Sequence, residues 1–149
     1  MGITYFKRLR MEYDLSGPLF EAPPLAEGYE LLPWNEDLLK HHAEVKFKSF
    51  RFEIDANVFP NLGARDGCRR LMEDIVHRGR FVPEATWLVQ YWPQHARRPE
   101  ICGTIQGMLE ETDDGYRLGA VQNIGITEGH RGRGLGSCLV HRSLLGFRQ

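Results

Sequence analysis

A hydrophobic strand that runs into a glycine-rich turn and then an amphipathic helix constrains this chain more than any other feature. The stretch reads Gln122-Asn123-Ile124-Gly125-Ile126-Thr127-Glu128-Gly129-His130-Arg131-Gly132-Arg133-Gly134-Leu135-Gly136-Ser137. Such a turn exposes unpaired backbone N–H groups at the positive end of a helix dipole, a site for phosphate oxygens. Glycines let a ligand approach the backbone closely. From Gly129 to Gln149 there are four arginines (Arg131, Arg133, Arg142, Arg148) and no acid, although the whole chain balances 19 Lys+Arg against 20 Asp+Glu. The local asymmetry points to a small anionic partner. The near-zero total is not that of a protein whose main partner is nucleic acid.

Two familiar phosphate loops fail on spacing. A Walker A loop closes on Gly-Lys-Ser/Thr, and no lysine follows Lys48. A dinucleotide fingerprint needs G-x-G-x-x-G early in a parallel βαβ unit, with an acid about 20 residues on. Here Gly132, Gly134 and Gly136 give G-x-G-x-G, and the sequence ends 13 residues after Gly136.

Residues 3–13 alternate around Leu9, Met11 and Tyr13 and read as a strand. Gly17-Pro18 to Pro23-Pro24 is a loop or hairpin connection. A short strand, Tyr29–Leu32, is stopped by Pro33, and Asn35 is a good N-cap with Glu36 and Asp37 in the first turn. Leu39, Ala43, Phe47 and Phe50 mark one face of that helix. A loop over 52–61 leads to a second helix, with Cys68, Leu71, Met72, Ile75 and Val76 at helical spacing and Gly79 at its end. Strands follow at Thr86–Trp92, Glu100–Glu110 and Tyr116–Thr127, the last two joined through Asp114-Gly115 as a hairpin. Gly119 and Gly125 within the last strand point to a bulge or a close backbone approach. The final helix begins within Gly132–Gly136 and runs towards Phe147, with apolar residues on more than one stripe and nothing after it to cover them. The expected fold class is α+β, a mainly antiparallel mixed sheet flanked by helices.

The chain has 149 residues, the length of a single domain, with 42% hydrophobic and 26% charged residues, as in soluble globular proteins. Cys68, Cys102 and Cys138 are odd in number and widely spaced, so neither a disulfide framework nor a zinc site is expected. No signal peptide or membrane-length apolar stretch is read, and the expected setting is a reducing cytoplasm. The adjacent His41 and His42 point in different directions on a helix, and no metal is expected. Trp87, Tyr91 and Trp92 read as core packing rather than a base-stacking platform.

Arg131-Gly132-Arg133-Gly134-Leu135-Gly136 matches, at every fixed position, the acyl-CoA signature Q/R-x-x-G-x-G/A. With a hydrophobic strand before it and an amphipathic helix after it, the chain from about Tyr29 onward resembles the GCN5-related N-acetyltransferase (GNAT) family. Residues 1–28 read as an N-terminal extension, and residues 29–149 as the acetyltransferase core of one domain. The resemblance implies acetyl-CoA as cosubstrate and direct transfer of its acetyl group to an as yet unidentified primary amine. It implies that the loop amides of Arg131, Gly132, Arg133, Gly134, Leu135 and Gly136, with the Ser137 hydroxyl, hold the pyrophosphate. It implies too that the strand backbone at Ile124, Gly125 and Ile126 meets pantetheine, the Ile124 N–H polarising the thioester carbonyl.

Histone-modifying members of the family carry a glutamate eleven residues before the motif; here that position is Ala120, and the same-facing Gln122 cannot act as a base. Glu110, Glu128, Glu53, Asp55 and His130 are the candidates to replace it, and the general base stays unassigned. The acceptor slot is expected among Phe50, Phe52, Phe59 and Pro60, with Glu53 and Asp55 suited to a cationic amine. The family continues past this helix with further strands that wall the CoA cleft. The sequence is therefore expected to be a truncated product, or to borrow that wall from another chain. Alone it is expected to turn over little and to self-associate, most simply as a two-fold homodimer through its last strand and helix. The alternative is a non-catalytic module that keeps the scaffold for acyl-CoA binding or protein pairing.

Overall fold

A computed structural model describes residues 9–149. Four strands form one sheet in the order β1-β2-β3-β4: β1 Tyr29–Pro33, β2 Phe81–Tyr91, β3 Glu100–Glu111 and β4 Arg117–Ile126. All three pairings are antiparallel, so no mixed pairing occurs among the described residues. Between β1 and β2 lie α1 (Leu39–Phe50), the short α2 (Ile54–Val58) and α3 (Arg65–His77); α4 (Leu135–Phe147) follows β4.

Local chemistry accounts for most boundaries. Asn35 accepts from the Asp37 N–H at 2.9 Å and starts a 3-10 turn, Glu36–Leu38, that passes into α1. The segment 52–61, expected as open loop, instead winds into α2 and a 3-10 turn at Pro60–Gly63. Strand β2 begins at Phe81, five residues before the expected Thr86, because a register irregularity between Val82 and Trp87 accommodates Pro83. Gly115, at φ 81°, makes the turn between β3 and β4.

The strand expected over residues 3–13 is not formed in its described part. Residues 9–14 carry no regular structure, and Leu9 and Met11 are 81% and 89% exposed. Residues 3–8 lie outside the described residues. Alternation makes a strand only where a sheet edge accepts it, and here Tyr13 closes a compact loop instead. Its hydroxyl donates to the Pro18 carbonyl at 3.1 Å and accepts from the Phe20 N–H at 2.9 Å.

The sheet carries α1 and α3 on one face and α4 on the other. On the α4 side Val89, Ile105, Leu135 and Leu139 form the core; on the other, Ala43, Leu62, Cys68, Met72, Ile75 and Met108 do. The α4 helix was expected to lie uncovered, and it does not. Its outer side is crossed by the segment from Leu15 to Ala26. Arg148 donates to the Leu15 and Gly17 carbonyls, Phe20 meets His141 edge-on at 5.5 Å, and the Cys138 thiol donates to the Pro23 carbonyl at 3.4 Å. Leu25 and Ala26 join the core beside Leu135. Cover comes from a segment that precedes the helix in the chain, not from one that follows it. Of α4 only Leu145, at 37%, is an exposed large apolar side chain. No helix among the described residues is long and apolar enough to cross a membrane.

Candidate functional site

Strand β4 is built around a bulge. Thr104 faces Gly125 and Gln106 faces Gln122, so Asn123 and Ile124 together stand opposite Ile105. A bulge leaves the extra residue out of the ladder and re-aims its backbone groups. Asn123 sits at φ 51°, the left-handed region in which asparagine is several-fold enriched. The two glycines are positions of close approach rather than the bulge itself. A Cβ at Gly125 would lie 2.8 Å from the Ser49 Cβ, and one at Gly119 2.7 Å from the Phe147 ring.

Four residues past the bulge pair, a 3-10 turn at Glu128–His130 leads into the glycine loop. Gly132 and Gly134 both take positive φ, 77° and 79°, and Gly134 is the N-cap of α4 with no side chain capping it. Among the described residues, no backbone acceptor meets the N–H groups of Gly132, Arg133, Gly134, Leu135, Gly136 or Ser137; the first bonded amide is Cys138, to Gly134 at 3.1 Å. These amides end at the positive pole of a 13-residue helix.

Arg131 behaves differently from the rest of the motif. Its N–H is taken by the Glu128 carbonyl at 3.4 Å. Its guanidinium donates to the Ile126 carbonyl at 2.8 Å, the Ser49 carbonyl at 3.0 Å and Glu53 at 3.0 Å. It therefore ties the loop to the C-terminal end of α1, and it occupies the carbonyl of Ile126. Arg133 is exposed, and its charge reaches Tyr29. It is the loop's available cation.

A cavity of about 220 Å³ opens against the bulge, lined by Phe50, Asp55, Phe59, Val121, Asn123 and Ile124. Of the expected acceptor slot it includes Phe50, Phe59 and Asp55. Phe52 is 84% exposed under the Arg51 guanidinium, and Glu53 is turned to Arg131. Among the candidate bases, Glu110 and Glu128 are exposed, and His130 is buried at the sheet end. There its Nδ1 lies 2.7 Å from the Tyr29 hydroxyl and its Nε2 3.4 Å from Glu100. Asp55 is the one candidate that lines the cavity.

Sequence reasoning missed the polar seam beneath the bulge. His42, Lys46 and Ser49 occupy positions i, i+4 and i+7 of α1, and all three are buried against the sheet. The Thr104 hydroxyl lies 2.7 Å from His42 Nδ1, and Gln106 Nε2 donates to Thr104 at 2.6 Å. With its amide so oriented, Gln106 turns Oε1 to the Lys46 ammonium at 2.6 Å; Lys46 also donates to Asn123 Oδ1 at 3.1 Å. Among the described residues, Ser49 Oγ and His42 Nε2 have no hydrogen-bond partner. A signal was present in the sequence: Thr104 and Gln106 place two polar side chains on one face of a strand otherwise rich in apolar residues.

Burial drives the titration of this seam. It pulls His42 down to about 3, with the positive charges of Lys46 and His41 adding to the effect, and it pulls Lys46 from 10.5 to about 7. Above pH 7 the unfolded chain therefore holds a proton on Lys46 that the folded chain has released, so stability rises with pH. The slope approaches ~1.4 kcal/mol per pH unit above about pH 7. It is opposed from about pH 8.5 by the buried thiols, since burial pushes Cys68 up to about 11 and Cys102 to about 12. Thermal melts of wild type should show this rise between the two limits, and Lys46→Met should flatten it. Parallel pH profiles for the two proteins would contradict the assignment.

No protein-family model matches this chain, and no curated protein matches it significantly.

Proposed function

We propose that the chain is an N-acetyltransferase of the GNAT type, which moves an acetyl group from acetyl-CoA to a primary amine. One observation carries the reading: a β4 bulge at Asn123–Ile124 and a row of unbonded amides from Gly132 to Ser137 belong to one strand–loop–helix unit. The amides and Arg133 would hold the pyrophosphate. The Ile124 N–H would meet the thioester carbonyl, where charge develops during attack. The amine nitrogen forms the new bond to the acetyl carbon, the carbon–sulfur bond breaks, and the thiolate leaves to be protonated.

An acceptor amine is cationic at neutral pH and must lose a proton before it attacks. Asp55, between Phe50 and Phe59, gives the cavity the chemistry for an alkylammonium: a carboxylate for the head and rings for the stem. Asp55→Asn should raise the acceptor KM about tenfold or more, a charge-assisted contact reduced to a neutral one. Its CoA affinity should not change. The check is CoA release from acetyl-CoA with a panel of alkylamines, and an unchanged KM places the amine elsewhere. Tight CoA binding with no transfer to any amine would favour the non-catalytic module, in which Ala120 and Gln122 leave β4 without a carboxylate beside the cavity.

A further inference from the structure

A fully buried lysine bonded to two amide oxygens, with no carboxylate partner among the described residues, is an expensive thing for a core to contain. Methionine fills similar volume without desolvating a charge. The lysine also stands at one particular place. Its Nζ bonds the side chain of Asn123, the residue in left-handed conformation that makes the bulge, and Asn123 lines the cavity.

We propose that Lys46 is a positioning residue of the acyl site: from beneath β4 it pins Asn123 in the bulge and sets a positive charge behind the N–H that Ile124 offers to a thioester carbonyl. This rests on the acetyl-CoA reading above. The seam is organised for it. Thr104 and the Gln106 amide group fix which end of Gln106 faces the lysine, and His42 stays neutral, so no second cation competes. From α3 the facing titratable group is Cys68, a thiol held neutral by burial; from β3 and β4 the facing groups, Thr104, Gln106 and Asn123, are uncharged. Lys46 is itself fully buried, so its charge is screened less than a surface charge would be.

The ammonium form is the working form. As it loses its proton near neutrality, the charge behind the bulge disappears while the tie to Asn123 persists through the remaining N–H groups. Polarisation of a bound thioester should follow the same titration.

The test uses the full 149-residue chain and acetyl-CoA carrying a carbon-13 carbonyl, whose stretching band is read by infrared difference spectroscopy across pH. In wild type the band should lie at lower frequency below the Lys46 midpoint and move up as pH rises through about 7. In Lys46→Met it should sit at the higher frequency at every pH. A wild-type band that ignores pH, or that Lys46→Met does not move, overturns the proposal while leaving the acetyl-CoA reading intact. Failure of wild type to bind acetyl-CoA overturns both. Should Lys46→Met not fold, nitrogen-15 NMR of the lysine side chains in wild type decides the matter. A Lys46 midpoint near 7 that rises when acetyl-CoA binds supports the proposal, and an ordinary midpoint unmoved by acetyl-CoA overturns it.

Discussion

Gly146→Ala should destabilise the protein by about 3 kcal/mol or more and lower Tm by roughly 6–12 °C. A Cβ at this position would lie 2.1 Å from the Glu84 carbonyl oxygen and 2.6 Å from the Ala85 nitrogen, both backbone atoms of β2. Nothing flexible is there to give way. The same contact explains how α4 seats so closely on the sheet: one turn earlier, Ser143 donates to the Ala85 carbonyl at 2.9 Å. The α4 helix must separate from β2 to admit a methyl group, and that loosens the core of Val89, Ile105, Leu135 and Leu139. Gly129→Ala is the control, since a Cβ there meets nothing within 4 Å. Paired thermal melts check the difference. Equal Tm values would mean that α4 does not pack on β2 as described.

Gly134→Asp should abolish CoA binding without unfolding the protein. The substitution introduces a carboxylate at the N-cap of α4, where it would accept from the very amides that are otherwise unbonded. That capping gain of about 0.5–2 kcal/mol offsets the ~1–2 kcal/mol cost of a side chain at φ 79°. The fold is thus spared while the anion site is filled. A carboxylate about 4 Å from a phosphate charge costs ~4 kcal/mol at an effective dielectric of ~20, which is about a thousandfold in affinity. Gly134→Ala separates the causes, because it carries the backbone strain and crowds Pro23 Cγ, 3.3 Å away, but brings no charge. Calorimetry should find a modest loss for alanine and no detectable binding for aspartate. Equal losses would move the pyrophosphate away from this turn.

What was readable in advance follows from where the side-chain pattern alone decides. Cys68, Leu71, Met72, Ile75 and Val76 face one core, and their spacing placed α3 without ambiguity. The Asp114-Gly115 turn and the flanking alternation fixed the β3–β4 hairpin, and the glycine loop marked the start of α4. Patterns that depend on a distant partner were not readable. Leu9, Met11 and Tyr13 alternate as a strand would, yet no edge receives them. The cover over α4 lies more than a hundred residues earlier in the chain, at Leu15 and Pro23. In the candidate site, the loop was legible because glycine and arginine are informative in themselves. Lys46 was not, because a lysine in an amphipathic helix ordinarily faces water; its burial follows from Gln106 and Asn123 on two other elements. Arg131 belonged to the motif by spacing, but its side chain answers to Ser49 and Glu53 across the fold.

On the proposed reading, the Gly132–Ser137 amides and the Ile124 bulge form one acyl-CoA site. A titration of CoA into the nitrogen-15-labelled chain, read by amide chemical shifts, tests it most directly. Saturable shifts should concentrate at Gly132 through Ser137 and at Asn123–Gly125, with the amides of α3 unmoved. No saturable shift, or shifts that gather away from this loop and bulge, would contradict it.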